Sequence, residues 1–250
     1  MKVLLPKPLH GWRAFVGEVG IIVLGVLIAL GAGQVAEMFH RDEQARLAEH
    51  AMRLELAEDD GPQAYARVTI GSCLENQIAR IHDSAATAPA DQLRGWVAVY
   101  APPFRTWDNE AWKAVVSSNV GDYMGAERLV DWSAAYRVLP GLSDTNARET
   151  ELATELHDAL PPLGEPSPAD RQYLRRVAGQ LRVSNDRLTR GSQLFLARTR
   201  QLAATVPAPT QQTLLKTARS IYGACVRAPD VRAPAAAQSP AANLLGFVHN

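Results

Sequence analysis

The residues able to do chemistry are few, and their spacing limits what they can do. His40 and His50 stand near Glu43 and Glu49. A metal needs ligands that converge on one point, and a ten-residue separation does not put the two histidines on one helical turn. They read as solvated side chains. His82-Asp83 and His157-Asp158 each fall at the end of a predicted helix, where a histidine satisfies terminal carbonyls and complements the dipole. Asp59-Asp60, with Glu55 and Glu58, makes an acidic cluster. It lacks the loop spacing of a calcium-binding hand and reads as a solvated helix end. Cys73 and Cys225 are too few for a four-cysteine metal site and too far apart for a C-x-x-C redox pair. Two alternatives stay open for them: a disulfide, if the domain lies outside the cytoplasm, or two buried thiols. Trp107, Trp112 and Trp132 with Tyr136 form an aromatic group in mid-chain, read first as core and second as the lining of a groove. There is no G-x-S-x-G turn, phosphate-cradling glycine loop or zinc-protease histidine pair. No catalytic, cofactor-binding or metal-ligating residue is assigned, and the chain is not expected to be an enzyme.

The element that governs the rest lies near the start. Val19 to Gly33 holds no strongly polar residue. With its flanks, the stretch 14–36 approaches the roughly 20 residues needed to cross a bilayer. Glu18 sits where the inner edge would be, within reach of headgroups, water or Arg13. Three readings compete: a retained single-pass anchor, a cleavable signal peptide, and a buried or interfacial helix. The small residues Ala29 and Gly31 lend the second some force. The helical pattern, however, runs on through Gln34 to Ala57, so cleavage would leave the mature chain starting inside a helix. The retained anchor is the reading adopted. Lys2, Lys7 and Arg13 precede the stretch with no acid before Glu18, which favours a cytoplasmic tail over 1–13 and an inner-membrane span with the remainder in the periplasm. Gly25, Ala29 and Gly33 lie four apart on one side of that helix. Small residues there let another helix approach closely, although glycine and alanine are also simply common in membrane helices.

Beyond the anchor the pattern is all-α: a transmembrane helix leading into an irregular helical bundle over 37–226. Val35, Met38, Ala45, Met52 and Leu56 recur at helical spacing, and Asp59-Asp60-Gly61-Pro62 is expected to stop that helix. A second helix is predicted over 63–82, with Ile70, Leu74, Ile78 and Ile81 inward and Cys73 beside them. A short helix covers 91–99. Thr106 or Asp108 is placed to cap the helix that turns Trp112, Val115 and Val116 inward. Further helices are expected near 124–139, with Leu129, Trp132, Ser133, Tyr136 and Leu139 on one face, and over 144–160. Leu174, Leu181, Leu188 and Phe195 repeat every seven residues in a long helix over 168–205. Ser184 and Gly191 suit a two-stranded coil poorly, so this reads as the central helix of the bundle. A last helix over 209–226 should turn Leu214, Ala218, Ile221 and Cys225 inward. Residues 227–250 are rich in proline and alanine, read as disordered, and end near an LLGF stretch that is a minor docking element or nothing. With 26 basic and 26 acidic residues the net charge is zero, so nothing steers the chain toward nucleic acid.

The opening resembles a family of uncharacterised bacterial single-pass membrane proteins. These carry a Gly-Glu pair, an Ile/Val-rich stretch, Gly-(Val/Ile)-Leu-Ile-Ala-Leu and a polar segment. Gly17-Glu18, Gly25 to Leu30 and Gln34 to Glu37 occupy those places here, without the usual Trp in the last. A looser resemblance covers 104–136, through Trp112, Ser117-Ser118-Asn119 and Tyr136. The resemblance implies membrane location and a helical domain, not a reaction. The expected function is a membrane-anchored interaction, scaffolding or sensing protein of the cell envelope, with membrane lipid, an envelope protein or a second copy through Gly25, Ala29 and Gly33 as partners. The alternative is a ligand-binding module, or an enzyme whose site converges only in three dimensions.

Overall fold

A computed structural model describes residues 12–229. The expected cytoplasmic tail (all but residues 12 and 13) and most of the expected disordered tail, with its LLGF stretch, lie outside the described residues. The fold is all-α, with no strand among the described residues. Helix α1 spans Trp12–Leu54, followed by a π-helical turn, Glu55–Asp60, and α2, Gly61–Ser84. Then come α3 (Ala90–Val99), α4 (Glu110–Ser117), a 3-10 turn (Asn119–Tyr123), α5 (Ala126–Tyr136), α6 (Leu139–His157), α7 (Pro168–Gln201), α8 (Ala208–Tyr222) and a final 3-10 turn, Gly223–Cys225.

The first half of α1 lies outside the packed core. From Phe15 to Glu43 every side chain is exposed, including Ile21, Ile22, Leu24, Leu27, Ile28 and Leu30. The stretch is long and apolar enough to cross a membrane, and none of it is buried. A soluble helix could not leave so continuous an apolar surface in water. By length, composition and exposure it fits a membrane anchor. The stripe expected to run from Val35 to Leu56 divides here: Ala45, Met52 and Leu56 enter the core, whereas Val35 and Met38 are exposed and prolong the apolar surface to Phe39.

The helix does not stop at Asp59-Asp60-Gly61-Pro62. It passes through the π-turn and continues to Ser84. Pro62 has no N–H, and in a regular α-helix its ring would press on the carbonyl four residues back. The wider turn relieves this: Gly61 donates its N–H to the Leu56 carbonyl, five residues away. Gly61 is also fixed by space, since a Cβ there would lie 2.5 Å from Leu56 O and 2.9 Å from Val206 Cγ2. The residues read as terminators instead permit a close crossing.

The bundle is built around α2 and α7, with α6 and α8 alongside. Ile70, Leu74, Ile78 and Ile81 face inward as their spacing requires, and Leu174, Val177, Leu181, Leu188 and Phe195 form the seam of α7. Gly191 interrupts that seam because Leu142 of α6 presses there: a Cβ would meet Leu142 Cδ2 at 2.7 Å. The helix starts on a full capping box between Ser167 and Asp170. Four expectations need correction. Leu139 opens α6 rather than closing α5, because Pro140 is tolerated in a first helical turn and not in a helix interior. Ile221 is 69% exposed, and Tyr222 takes its inward place. Neither Thr106 nor Asp108 caps α4, where Asn109 holds the N-cap position without a side-chain bond, and of that helix's expected inward residues Val116 is 64% exposed, because it follows directly on the buried Val115 and so points to another side.

The apolar core is in two parts. One contains Ile70 to Ile81, Leu152 to Leu160 and Leu174 to Leu181. The other contains Met52 to Tyr65, Trp132 to Leu142 and Leu188 to Val206. On α2, α6 and α7 alike the change falls at a buried polar residue: Arg67, Glu149 and Asn185. Arg67 donates from Nη1 and Nη2 to the two Glu149 oxygens at 2.7 Å each, and from Nη2 to Asn185 Oδ1 at 2.8 Å. Asn185 returns a bond to the Gly71 carbonyl at 3.1 Å. Neither charged side chain is more than 1% exposed. Breaking such a pair leaves a buried charge without compensation, at a cost of about 3–5 kcal/mol, whereas replacing both partners by packed apolar groups costs much less. Glu149→Gln should therefore destabilise the chain severely, and Arg67→Met with Glu149→Leu should be milder than Glu149→Gln alone. Denaturant unfolding of the full chain in detergent measures the order.

Candidate functional site

The π-turn places two of its four carboxylates, Glu55 and Asp60, inward rather than in water. Leu56 and Asp60, four apart, are both buried, with Asp60 1% exposed. Glu55, one turn earlier, is half-buried. The segment 105–111 crosses over them. Asp108 donates its N–H to Asp60 Oδ1 at 2.9 Å, and Ala111 donates its N–H to Glu55 Oε2 at 2.9 Å. Ala111 is the second residue of α4, so Glu55 supplies from another helix the acceptor that Asn109 fails to supply. Tyr136, at the end of α5, donates its hydroxyl to Glu55 Oε1 at 2.8 Å. Its ring stacks on Trp112, with centroids 5.4 Å apart and planes 15° apart. Trp107 meets Phe195 edge-on at 6.3 Å, and the Arg53 guanidinium lies 5.9 Å from the centroid of Trp132.

The two carboxylates differ in satisfaction. Both Glu55 oxygens are engaged, whereas Asp60 Oδ2 is buried with no hydrogen-bond partner. Burial pushes the Asp60 carboxyl up to about 7, against the lowering effect of the Asp108 N–H and with further raising from the charges of Glu55, Asp108 and Asp59. Burial, then the Glu55 bond, push the Tyr136 hydroxyl up as well. The arrangement can exchange one proton near neutral pH at the joint between α1 and α2. It also ties the 105–111 segment and α4 to that joint. At 1% exposure Asp60 is closed to a substrate.

A second polar group lies beside the Arg67–Glu149 pair. Arg105 donates from Nη1 to Gln63 Oε1 at 3.0 Å, and its backbone N–H donates to Asn146 Oδ1 at 2.8 Å. Burial, then the like charge of Arg67, lowers the Arg105 guanidinium to about 10. The hydroxyl of Tyr100 is buried without a partner, and burial raises its pKa.

The other residues singled out by sequence stay apart. His40 bonds Gln44 at 3.0 Å on exposed α1, and His50 is exposed. Glu43 pairs with Arg46, and Glu49 with Arg128 at 2.9 Å. No group of three or more His, Cys, Asp or Glu able to hold a metal occurs among the described residues. His82 Nδ1 lies 2.8 Å from Asp83 Oδ1 rather than on a helix carbonyl, and that bond holds the Asp83 carboxyl below its ordinary range. His157 does meet a carbonyl, that of Tyr100 at the end of α3, at 3.0 Å. The acidic cluster is solvated only at Glu58 and Asp59. Cys73 and Cys225 form a disulfide with Cα atoms 5.2 Å apart, joining α2 to the turn after α8 across 152 residues. The tryptophans do not ring one cavity. Trp132 is core, Trp107 packs on the core, and of the three Trp112 alone lines the groove with Val116, Leu129 and Val130.

Arg67, Asn146, Glu149 and Asn185 carry no motif that singles them out in the sequence. A weaker signal is present: Arg67 continues the inward stripe three residues before Ile70, and Glu149 lies seven from both Leu142 and Leu156. No family model, curated protein or solved structure matches the chain.

The raised Asp60 pKa sets a pH dependence. The folded chain retains a proton that an unfolded aspartate, with its ordinary value of 3.8, releases. Stability from this group is therefore full below about pH 4 and is lost as pH rises toward 7. Asp60→Asn keeps the Oδ1 acceptor and removes the charge. Its melting temperature should match wild type below about pH 4 and exceed it at pH 8, by at most about 4 kcal/mol in stability. A parallel pH profile for the two proteins would refute this.

Proposed function

We propose that the chain is a single-pass inner-membrane protein with its N-terminus in the cytoplasm and its helical domain in the periplasm, acting by interaction, scaffolding or sensing. The observation that carries the reading is the complete exposure of the apolar half of α1 beside a domain whose own core is closed. A second observation supports the compartment. The Cys73–Cys225 bond is of a kind that persists in oxidising surroundings and is rare in the cytosol. We further propose membership of the single-pass family whose Gly-Glu and G-V-L-I-A-L motifs the anchor resembles, and no catalytic role. Pairing of two copies through Gly25, Ala29 and Gly33 belongs to the same reading; a Cβ at either glycine would meet nothing within 4 Å, so the surface is open to a second helix.

The sensing variant has a physical basis in the joint. One helix runs from the anchor into the core, and the carboxyl at its π-turn titrates near neutrality.

The full chain should stay in the membrane pellet after alkaline carbonate extraction. A cysteine probe replacing Glu58, exposed on the π-turn, should react with an impermeant maleimide once the outer membrane alone is opened. Reaction only after the inner membrane is breached would overturn the orientation. Release by carbonate with α1 intact would overturn the anchor.

A further inference from the structure

The joint in α1 fixes the height of the domain above the membrane, provided that the anchor reading holds. With Glu18 at the inner edge, a hydrocarbon core of about 30 Å takes about 20 residues at 1.5 Å each. That brings the outer edge to Met38 and Phe39, where the exposed apolar surface ends. The headgroup layer comes next, and the domain begins inside it. The Arg41 guanidinium lies 5.1 Å from the centroid of the Tyr123 ring, so the Asn119–Tyr123 turn sits level with a residue about 3 Å beyond Phe39.

Between α1 and that turn is an open groove of about 440 Å³. Phe39 is at its lower edge, and its sides carry Asp42, Glu43 and Glu49 against Arg46 and Arg128. We propose that this groove seats the headgroup of a zwitterionic aminophospholipid, a phosphodiester bearing a primary ammonium. Three carboxylates face two guanidiniums, so a purely anionic headgroup would meet net repulsion. A zwitterion can turn its phosphate to the arginines and its ammonium to the acids. Guanidinium groups take phosphate oxygens in pairs. Arg46 and Arg128 are 75% and 71% exposed, and their present partners, Glu43 and Glu49, hold them only as surface pairs. Phe39, 67% exposed, is placed to lie along the glycerol and upper acyl region. Tyr123 brings the half-apolar ring suited to an interface.

The test uses the full chain in vesicles of phosphatidylethanolamine and phosphatidylglycerol. The native cysteines are joined and do not label, so single nitroxides are introduced as Ile28→Cys, Asp122→Cys and Arg137→Cys. Relaxation by oxygen and by a water-soluble nickel chelate reports depth. The label at residue 122 should read as headgroup layer, the one at 28 as hydrocarbon and the one at 137 as bulk water. If 28 is in hydrocarbon and 122 matches 137, the headgroup contact is refuted while the anchor stands. If 28 itself reads as water, the anchor reading fails and this inference with it. Native mass spectrometry from the same vesicles should show phosphatidylethanolamine retained above its share, with the excess lost in Arg46→Gln/Arg128→Gln. Retention of phosphatidylglycerol instead, or of both lipids equally, would overturn the zwitterionic assignment.

Discussion

Arg67 and Glu149 are both closed to water, and two opposite charges hold such a position only when their hydrogen bonds are nearly complete. Completing them requires α2, α6 and α7 to meet in one register. Sliding any of the three by a residue would carry Arg67, Glu149 or Asn185 off the shared face and bury a charge against leucine. The pair thus contributes less to net stability than to the choice of one packing among several that an Ala- and Leu-rich sequence could form. That choice matters because aliphatic stripes such as those of α2 and α7 interlock in more than one way. The two halves of the apolar core meet at this layer, so each half inherits its alignment from it.

From that layer the fold extends in two directions with different fastenings. On one side the disulfide ties α2 to the chain after α8, and the enclosed side chains are largely aliphatic. On the other side the closing contacts are polar: the Asp108 and Ala111 N–H groups on Asp60 and Glu55, and the Tyr136 hydroxyl on Glu55. This second side is the one joined to the anchor. The part nearest the membrane is therefore held by hydrogen bonds, one of them on the titrating Asp60 carboxyl, and the far part by a covalent bond.

How much of this is legible in the sequence differs by element. The inward stripe of α2 and the seam of α7 follow from apolar spacing that packing had no reason to override. Asp59-Asp60-Gly61-Pro62 misleads because its residue types signal a stop, and only the crossing of Val206 over Gly61 shows that the glycine is there for space. Proline then becomes a reason for a wider turn. The acidic cluster misleads for a related cause. Charge argues for solvent, but the spacing of Leu56, Asp60 and Ala64 places Asp60 on the buried face, and here position outweighs type. The same holds for Glu149 between Leu142 and Leu156. The partner of each buried carboxylate comes from a segment 48 or 82 residues away, and no local pattern announces such a pairing.

The continuity of α1, the π-turn and α2 has a mechanical consequence. A helix joined to an anchor through a flexible loop would leave the domain free to tumble above the membrane. Here the backbone hydrogen bonds run on from Phe15 to Ser84, so a tilt or rotation of the anchor is delivered to α2, the helix most engaged in the bundle. The turn at Glu55–Asp60 is the one place in that run where the bonding register changes, and π-turns inside helices are frequent at functional positions. Its buried carboxyl has one oxygen on the 105–111 segment and the other without a partner. Ionising it places charge beside Glu55 and strengthens the bond from Asp108; protonating it relieves the repulsion and weakens that bond. The two effects oppose each other at a single residue between anchor and domain, and that opposition allows a proton to be exchanged there while the helix stays whole.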